Sequence, residues 1–212
     1  MEPTRICLIR HGETAWNAAR RIQGQTDIGL NPAGMAQAHA AALHLSATPV
    51  AALYSSDLLR ARQTAAALAE RLSLTPAFAP ELRERCYGIF EGKTYDEARA
   101  AYPDDYVAFE RRDPDYAFPA GGESLRQVQA RVTTRLRALA AAHPGRTVAV
   151  VTHGGVLDIV NRFVRGRALD LPRDFLIPNA GLNWLTVRGD EWRVEAWGLT
   201  AHLAEAGLDE LR

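Results

Sequence analysis

Two short apolar runs, each delivering a histidine and a glycine to its end, constrain this chain more than anything else in it. Arg5-Ile6-Cys7-Leu8-Ile9-Arg10 runs into His11-Gly12-Glu13-Thr14, and Thr147-Val148-Ala149-Val150-Val151-Thr152 runs into His153-Gly154-Gly155. Near-continuous apolar runs of this length read as buried strands. Each strand carries a titratable imidazole to one edge of a sheet. The same pattern at both ends of the sequence points to one site assembled from both.

The segments between them alternate in character. After a short helix within Thr14 to Arg20, Gly24, Gly29 and Asn31-Pro32 mark a loop, and Asn31 as N-cap with Pro32 at the first helical position predicts a helix through about Leu45. Ala51 to Ser55 reads as a second strand, with Ser56-Asp57 as the cap of the next helix. That helix repeats apolar residues at Leu58, Ala61, Ala65, Leu68 and Leu72, the spacing of one helical face. Thr75 to Phe78 reads as a third strand, and Thr94 with Glu97 forms a capping box for a helix that ends before Pro103. From there to Gly122 the chain is rich in Pro, Gly, Asp and aromatics with no sustained period, so residues 88–122 read as a lid or substrate loop. Leu125, Val128, Val132, Leu136 and Leu139 trace a long helix stopped by Pro144-Gly145. Val156 to Val164 makes another, and Leu182 to Val187, a Gly189-Asp190 turn and Trp192 to Trp197 make a closing hairpin. Strands alternating with helices predict a three-layer α/β/α sandwich with a mostly parallel sheet, whose ligands bind beyond the carboxyl ends of the strands.

At 212 residues the chain most simply makes a single domain, 1–212. Lys plus Arg and Asp plus Glu both total 25, so the global basic footprint of a nucleic-acid binder is missing and any anion site must come from local clustering. Two cysteines, Cys7 and Cys86, are too few for a disulfide framework or a thiolate metal site and make a reducing, cytoplasmic setting the default. No apolar stretch reaches the roughly 20 residues that span a bilayer. An edge hairpin near the C-terminus leaves two alternatives, pairing with a second subunit in a homodimer or cover by the C-terminal segment.

Arg10, His11, Arg60 and His153, gathered at the strand ends, make a cationic pocket suited to a tetrahedral dianion. Arg60 stands in the first turn of its helix, where the macrodipole disfavours a cation, so an anion in front of it explains it best. Arg62 lies about 200° further round the helix and reads as a solvated surface residue. Helices starting after Gly12, Ser56 and Gly154 would add N-terminal amides of the same sign. Neighbouring guanidinium charges lower an imidazole pKa, which leaves one histidine neutral and nucleophilic toward phosphorus while the other donates to the transferring group. A leaving alkoxide needs a proton, and Glu84 is the first candidate, with Glu81 as the competing acid. Glu13 is left outside this set as a helix-start residue, and His39, His44, His143 and His202 read as surface or helix-end residues. Asn179-Ala180-Gly181-Leu182-Asn183 reads equally as pocket backbone or plain loop. Neither His-x-x-x-His nor Asp-rich ligand spacing accompanies the histidines, so no metal and no cofactor are expected.

In their order along the chain, LIRHGETAWN, SSDLLRARQTA, LRERCYGIFEG and VVTHGG resemble the histidine phosphatase superfamily, in its phosphoglycerate-mutase-like branch. The resemblance covers nearly the whole chain. It implies that His11 is the transiently phosphorylated nucleophile, that Arg10, Arg60 and His153 hold the phosphate, and that Glu84 is the proton donor. By the same resemblance Asn17 contacts the phosphoryl group, with Gln23 and Gly24 nearby, and Gly154 joins them through the main chain. The activity implied is metal-independent hydrolysis of a small-molecule phosphate ester through phosphohistidine. A phosphoglycerate mutase is the alternative, in which Arg111 and Arg112 would read a sugar-acid carboxylate, although the Asp113-Pro114-Asp115 sequence after them departs from the mutase pattern. A phosphate-binding regulatory module is the non-enzymatic reading.

Overall fold

β1 (Thr4–Arg10) runs through the middle of the molecule because it has no polar face: Ile6, Cys7, Leu8 and Ile9 are all fully buried. It was described, with residues 2–205, in a computed structural model. A four-residue helix α1 (Ala15–Ala18) follows, closed by a reciprocal capping box between Thr14 and Asn17. In α2 (Pro32–Leu45) the Asn31 side chain accepts from the Gly34 amide at 2.7 Å and Pro32 occupies the first turn, as the sequence predicts. β2 (Ala52–Ser55) leads to α3 (Leu59–Leu72), where Leu58 rather than Ser56 or Asp57 is the N-cap and has no side-chain cap of its own. The cap comes from elsewhere, since Asp27 Oδ1 accepts from the Leu59 amide at 2.6 Å. A residue 32 positions away in sequence does a job that local pattern assigned to a neighbour.

β3 (Pro76–Phe78) is followed by two single turns of 3₁₀ helix and by α4 (Tyr95–Ala101), whose Thr94–Glu97 capping box is formed. The stretch expected to lack regular structure holds a further helix, α5 (Pro103–Glu110), with Pro103 in its first turn and Asp104 and Asp105 at its positive end. Its inward-packed residues, Tyr106 and Phe109, are aromatics that meet each other rather than a regular 3.6-period stripe, and Val107 is exposed, so periodicity could not reveal it. α6 (Leu125–Ala142) buries the five apolar positions expected of it. β4 (Thr147–Thr152), α7 (Gly154–Val164), the hairpin β5 (Leu182–Arg188) and β6 (Glu191–Leu199), and α8 (Ala201–Glu205) complete the described chain.

The sheet has the order β3-β2-β4-β1-β5-β6, with the first four strands parallel, β5 antiparallel to β1 and β6 antiparallel to β5. Alternate residues of β1 feed opposite layers: Ile6 and Leu8 pack with α6 and α7, Cys7 and Ile9 with α2 and α3. The three-layer sandwich is therefore the one expected. A third apolar cluster of Ile22, Phe90, Ala98, Tyr106 and Phe118 lies within and beneath the 88–122 segment. Phe90 is fully buried at its centre, a burial that contributes about 1.5–3 kcal/mol.

His202 is the helix-end residue that the sequence allowed, and not a surface one. It is buried at the start of α8, with Nε2 donating to the Ala180 carbonyl at 3.1 Å. α8 packs on α2 and not along β6, so the described part of the C-terminal segment does not cover the sheet edge. Among the described residues no helix is long and apolar enough to cross a membrane.

Candidate active site

β1 and β4 are adjacent and parallel, with Arg10 opposite Thr152, so the two His-Gly turns leave the same sheet edge side by side. The His11 amide donates to Thr152 O at 3.0 Å and the two imidazole centroids are 5.2 Å apart. The echo in the sequence is thus a spatial pair. Close backbone approach explains the glycine after the first histidine: a Cβ on Gly12 would collide with the Gly34 main chain of α2.

His11 Nδ1 lies 2.7 Å from its neighbour's carbonyl, Gly12 O. A carbonyl only accepts, so Nδ1 carries the proton and Nε2 of the neutral ring keeps its lone pair. Burial, then the Arg60 and Arg10 guanidinium charges, hold the His11 pKa well below that of an ordinary imidazole. The result is a neutral, oriented imidazole near pH 7. His153 is fully buried, hydrogen-bonded through Nε2 to Ser56 Oγ at 2.8 Å, and its pKa is lowered by burial and by Arg60. Its Nδ1 has no protein partner among the described residues.

Main-chain carbonyls orient both pocket arginines. Arg10 Nη1 donates to Ile177 O at 2.6 Å, and Arg60 donates to Gly24 O at 2.6 Å and Thr26 O at 3.0 Å. Burial lowers the Arg60 pKa only to about 10, so it is a cation at neutral pH. Arg62 points elsewhere, stacking on the Phe78 ring as a surface residue. The loop that positions Arg60 is itself held by the Glu91 carboxylate, which accepts from the Gln25 and Thr26 amides, the Thr26 hydroxyl and the Tyr87 amide.

Glu84 is buried at the mouth of α7. Its two carboxylate oxygens accept from the Arg85 and Gly155 amides, each at 2.8 Å. The second glycine of His-Gly-Gly is explained by this contact, because a Cβ on Gly155 would intrude on the carboxylate. Arg131 of α6 locks the Glu84 segment by donating to the carbonyls of Glu81, Arg83 and Glu84 while pairing with Glu123. Glu81 is exposed and does not line the cavity, so of the two candidate acids only Glu84 does.

The expected helix-end amides are mostly spoken for: α3 begins on Asp27, α1 on Thr14, and Gly155 on Glu84. Positive charge in the pocket therefore comes chiefly from guanidiniums. Arg10, His11, Asn17, Gln23, Gly24, Arg60, Glu84 and Gly154 all line one cavity of about 500 Å³, with His153 buried behind His11. Asn17 also closes the α1 capping box, and Gln23 Oε1 is buried without a partner among the described residues. Asn179 bridges the His11 carbonyl at 3.0 Å and Asn17 Oδ1 at 3.3 Å, so the loop before β5 supports the His11 turn. Tyr87, inside the Leu-Arg-Glu-Arg-Cys-Tyr-Gly motif, and Tyr95, an aromatic of the 88–122 segment, also line the cavity, and so do Arg21, Asp158 and Arg173, which sequence reasoning did not assign to it because none stands at a strand end. Of the arginine pair, Arg112 lines it and is tied to Asp158 and Leu169 O, whereas Arg111 is exposed outside it. Among the described residues no group of three or more His, Cys, Asp or Glu could hold a metal ion.

Residues 6–200 match the family model of the histidine phosphatase superfamily (branch 1). The chain is 39% identical to phosphoglycerate mutase-like protein 4 of Arabidopsis thaliana over 206 residues, 96% of this chain and 88% of that one. It is 39% identical to the metal-independent phosphoserine phosphatase of the same plant over 210 residues, 98% of this chain and 86% of that one. The solved structure of Bacillus stearothermophilus YhfR superposes with a TM-score of 0.88 at 33% identity, covering 94% of this chain and 99% of its own. The paired His-Gly turns, the arginines around them and these likenesses converge on one conclusion: this chain belongs to the histidine phosphatase superfamily, with the phosphoglycerate-mutase-like fold.

Proposed function

We propose that this protein is a metal-independent phosphomonoester hydrolase that works through a phosphohistidine at His11. The observation that carries the reading is the 2.7 Å contact of His11 Nδ1 with Gly12 O, which reserves Nε2 as the lone-pair nitrogen beside Arg10 and Arg60. In the first step Nε2 attacks phosphorus in line, the ester P–O bond breaks, and Glu84 gives its proton to the departing alkoxide. In the second, Glu84 takes a proton from water as that water attacks phosphorus, the N–P bond breaks, and inorganic phosphate leaves. Arg10 and Arg60 hold the phosphoryl oxygens, and His153 donates through the Nδ1 that has no protein acceptor. Asn17, Gln23, Gly24 and Gly154 complete the phosphate end.

Membership of the family and the likeness to a metal-independent phosphoserine phosphatase support a phosphoric monoester hydrolase acting on a small molecule. The likeness to a phosphoglycerate mutase-like protein keeps mutase activity as the second reading. Against it stands the paired arginine, split between an exposed Arg111 and an Arg112 held by Asp158. A purely regulatory phosphate binder is disfavoured by the oriented nucleophile and the buried acid together. We read residues 1–212 as one domain, since strands from residue 4 to residue 199 share one sheet, and 88–122 as the cover of the leaving-group side. Two unpaired cysteines support a reducing, cytoplasmic setting, and the β6 edge supports a homodimer.

His11→Ala should abolish phosphate release from phosphomonoesters and the acid-labile phosphoenzyme trapped from labelled substrate, while excess chelator leaves the wild type at full rate. A fully active His11→Ala protein would end this reading.

A further inference from the structure

Ser56 follows β2 directly and is fully buried, and all but one of its hydrogen-bonding directions are settled by the fold. Its amide donates to Val151 O of β4 at 3.0 Å, its carbonyl accepts from Ser55 Oγ at 2.7 Å, and its Oγ accepts from the Leu58 amide at 3.3 Å. The hydroxyl proton is what is left. Among the described residues the remaining partner of Ser56 Oγ is His153 Nε2, 2.8 Å away.

A proton can lie on either side of this contact, and the two choices are unequal. With the proton on Nε2, the ring donates to Ser56 Oγ, the hydroxyl proton has no acceptor among the described residues, and the buried Nδ1 is a bare lone pair. With the hydroxyl as donor, Nε2 accepts and the ring proton sits on Nδ1. The second arrangement leaves one buried group open instead of two, and each such group carries a desolvation cost. Burial and the Arg60 charge keep His153 neutral near pH 7, so its tautomer and not a second charge decides what it offers.

His11, 5.2 Å away ring to ring, holds its proton on Nδ1 for the opposite reason. There an acceptor, Gly12 O, draws the proton to Nδ1 and frees the Nε2 lone pair. At His153 a donor, the Ser56 hydroxyl, occupies the Nε2 lone pair and frees the Nδ1 proton. One tautomer, held from opposite sides, gives the pocket one imidazole that shows a lone pair and one that shows an N–H.

We propose that Ser56 is a positioning residue that fixes the Nδ1–H tautomer of His153 and so makes that histidine a hydrogen-bond donor to the phosphoryl group. What the N–H meets rests on the phosphomonoesterase reading, whereas the tautomer is a property of the free protein. Long-range proton–nitrogen correlation spectra of protein isotope-labelled at its histidine ring nitrogens show which nitrogen is protonated, with His153 assigned by its loss in His153→Gln. Spectra are taken near neutral pH for wild type, Ser56→Ala and Ser56→Thr, free and with inorganic phosphate.

Wild-type His153 should show a protonated Nδ1 and a bare Nε2. Ser56→Ala should lose that pattern in favour of Nε2–H or a mixture, and Ser56→Thr, which keeps a hydroxyl, should retain it. The same Ser56→Ala change should weaken inorganic phosphate binding and lower kcat/KM for p-nitrophenyl phosphate by about 10-fold, the size of one hydrogen bond, with part of the loss restored in Ser56→Thr. A merely structural serine would alter stability without moving the ring proton. A wild-type His153 protonated at Nε2, or a pattern unchanged in Ser56→Ala, therefore overturns the proposal. Absence of monoester hydrolysis and of a phosphoenzyme in the wild type would instead overturn the phosphomonoesterase reading, on which the tautomer measured in the free protein does not depend.

Discussion

Gly155→Ala tests how Glu84 is held. Gly155 has no positive φ, so alanine suits its backbone and its place in the first turn of α7. The cost is local. A methyl group there would lie 3.1 Å from the Glu84 carboxyl carbon and 3.2 Å from Tyr87 Oη, and closer still to Glu84 Oε1. Relieving the clash moves the carboxylate by about 1 Å and breaks its contact with the Gly155 amide, and a misplacement of that size costs about 100-fold in rate. General acid catalysis as a whole contributes about 10²- to 10⁴-fold, so the substitution should remove a large part of it. The loss should be selective: kcat for an alkyl ester such as 3-phosphoglycerate falls about 100-fold, whereas p-nitrophenyl phosphate, whose leaving group departs without a proton, falls far less. Glu84→Gln should show the same selectivity, and the double variant should be no worse than Glu84→Gln alone, because both changes remove one function. Equal losses on both esters, or additive losses in the double variant, would refute the idea that Gly155 matters by seating Glu84.

Two further predictions concern stability. His11 and His153 both have folded pKa values well below the 6.5 of an unfolded histidine, chiefly because they are buried. Below pH 6.5 the unfolded chain therefore binds two protons that the folded chain refuses, so stability is full above that value and falls as pH drops, by at most about 2.7 kcal/mol per pH unit for the pair. Urea unfolding between pH 7.5 and 5.5 should show this slope, and His11→Ala/His153→Ala should flatten it. At the start of α2, beside the His11-Gly12 turn, Asn31→Ala removes the cap on Gly34 and should lower unfolding free energy by about 1 kcal/mol without altering the leaving-group selectivity of the enzyme.

The sequence by itself determined the strands and most helices, because apolar runs, capping residues and glycine stops act over a few residues and leave a local pattern. Ile6 to Ile9 and Val148 to Val151 cannot be anything but buried strand, and Asn31-Pro32 cannot easily be anything but a helix start. It also singled out the candidate site residues, since Arg10, His11, Arg60, Glu84 and His153 stand in ordered motifs that no single local constraint would produce. Tertiary structure decided what each of them touches. That β4 lies beside β1, and so His153 beside His11, depends on a crossover of strands more than 130 residues apart. The Asp27 cap on α3, the Glu84 seat on Gly155 and the Glu91 hold on the Arg60 loop join segments with no sequence relation, so no window along the chain contains them. α5 escaped notice because aromatic packing within the 88–122 segment, rather than a helical stripe, buries it.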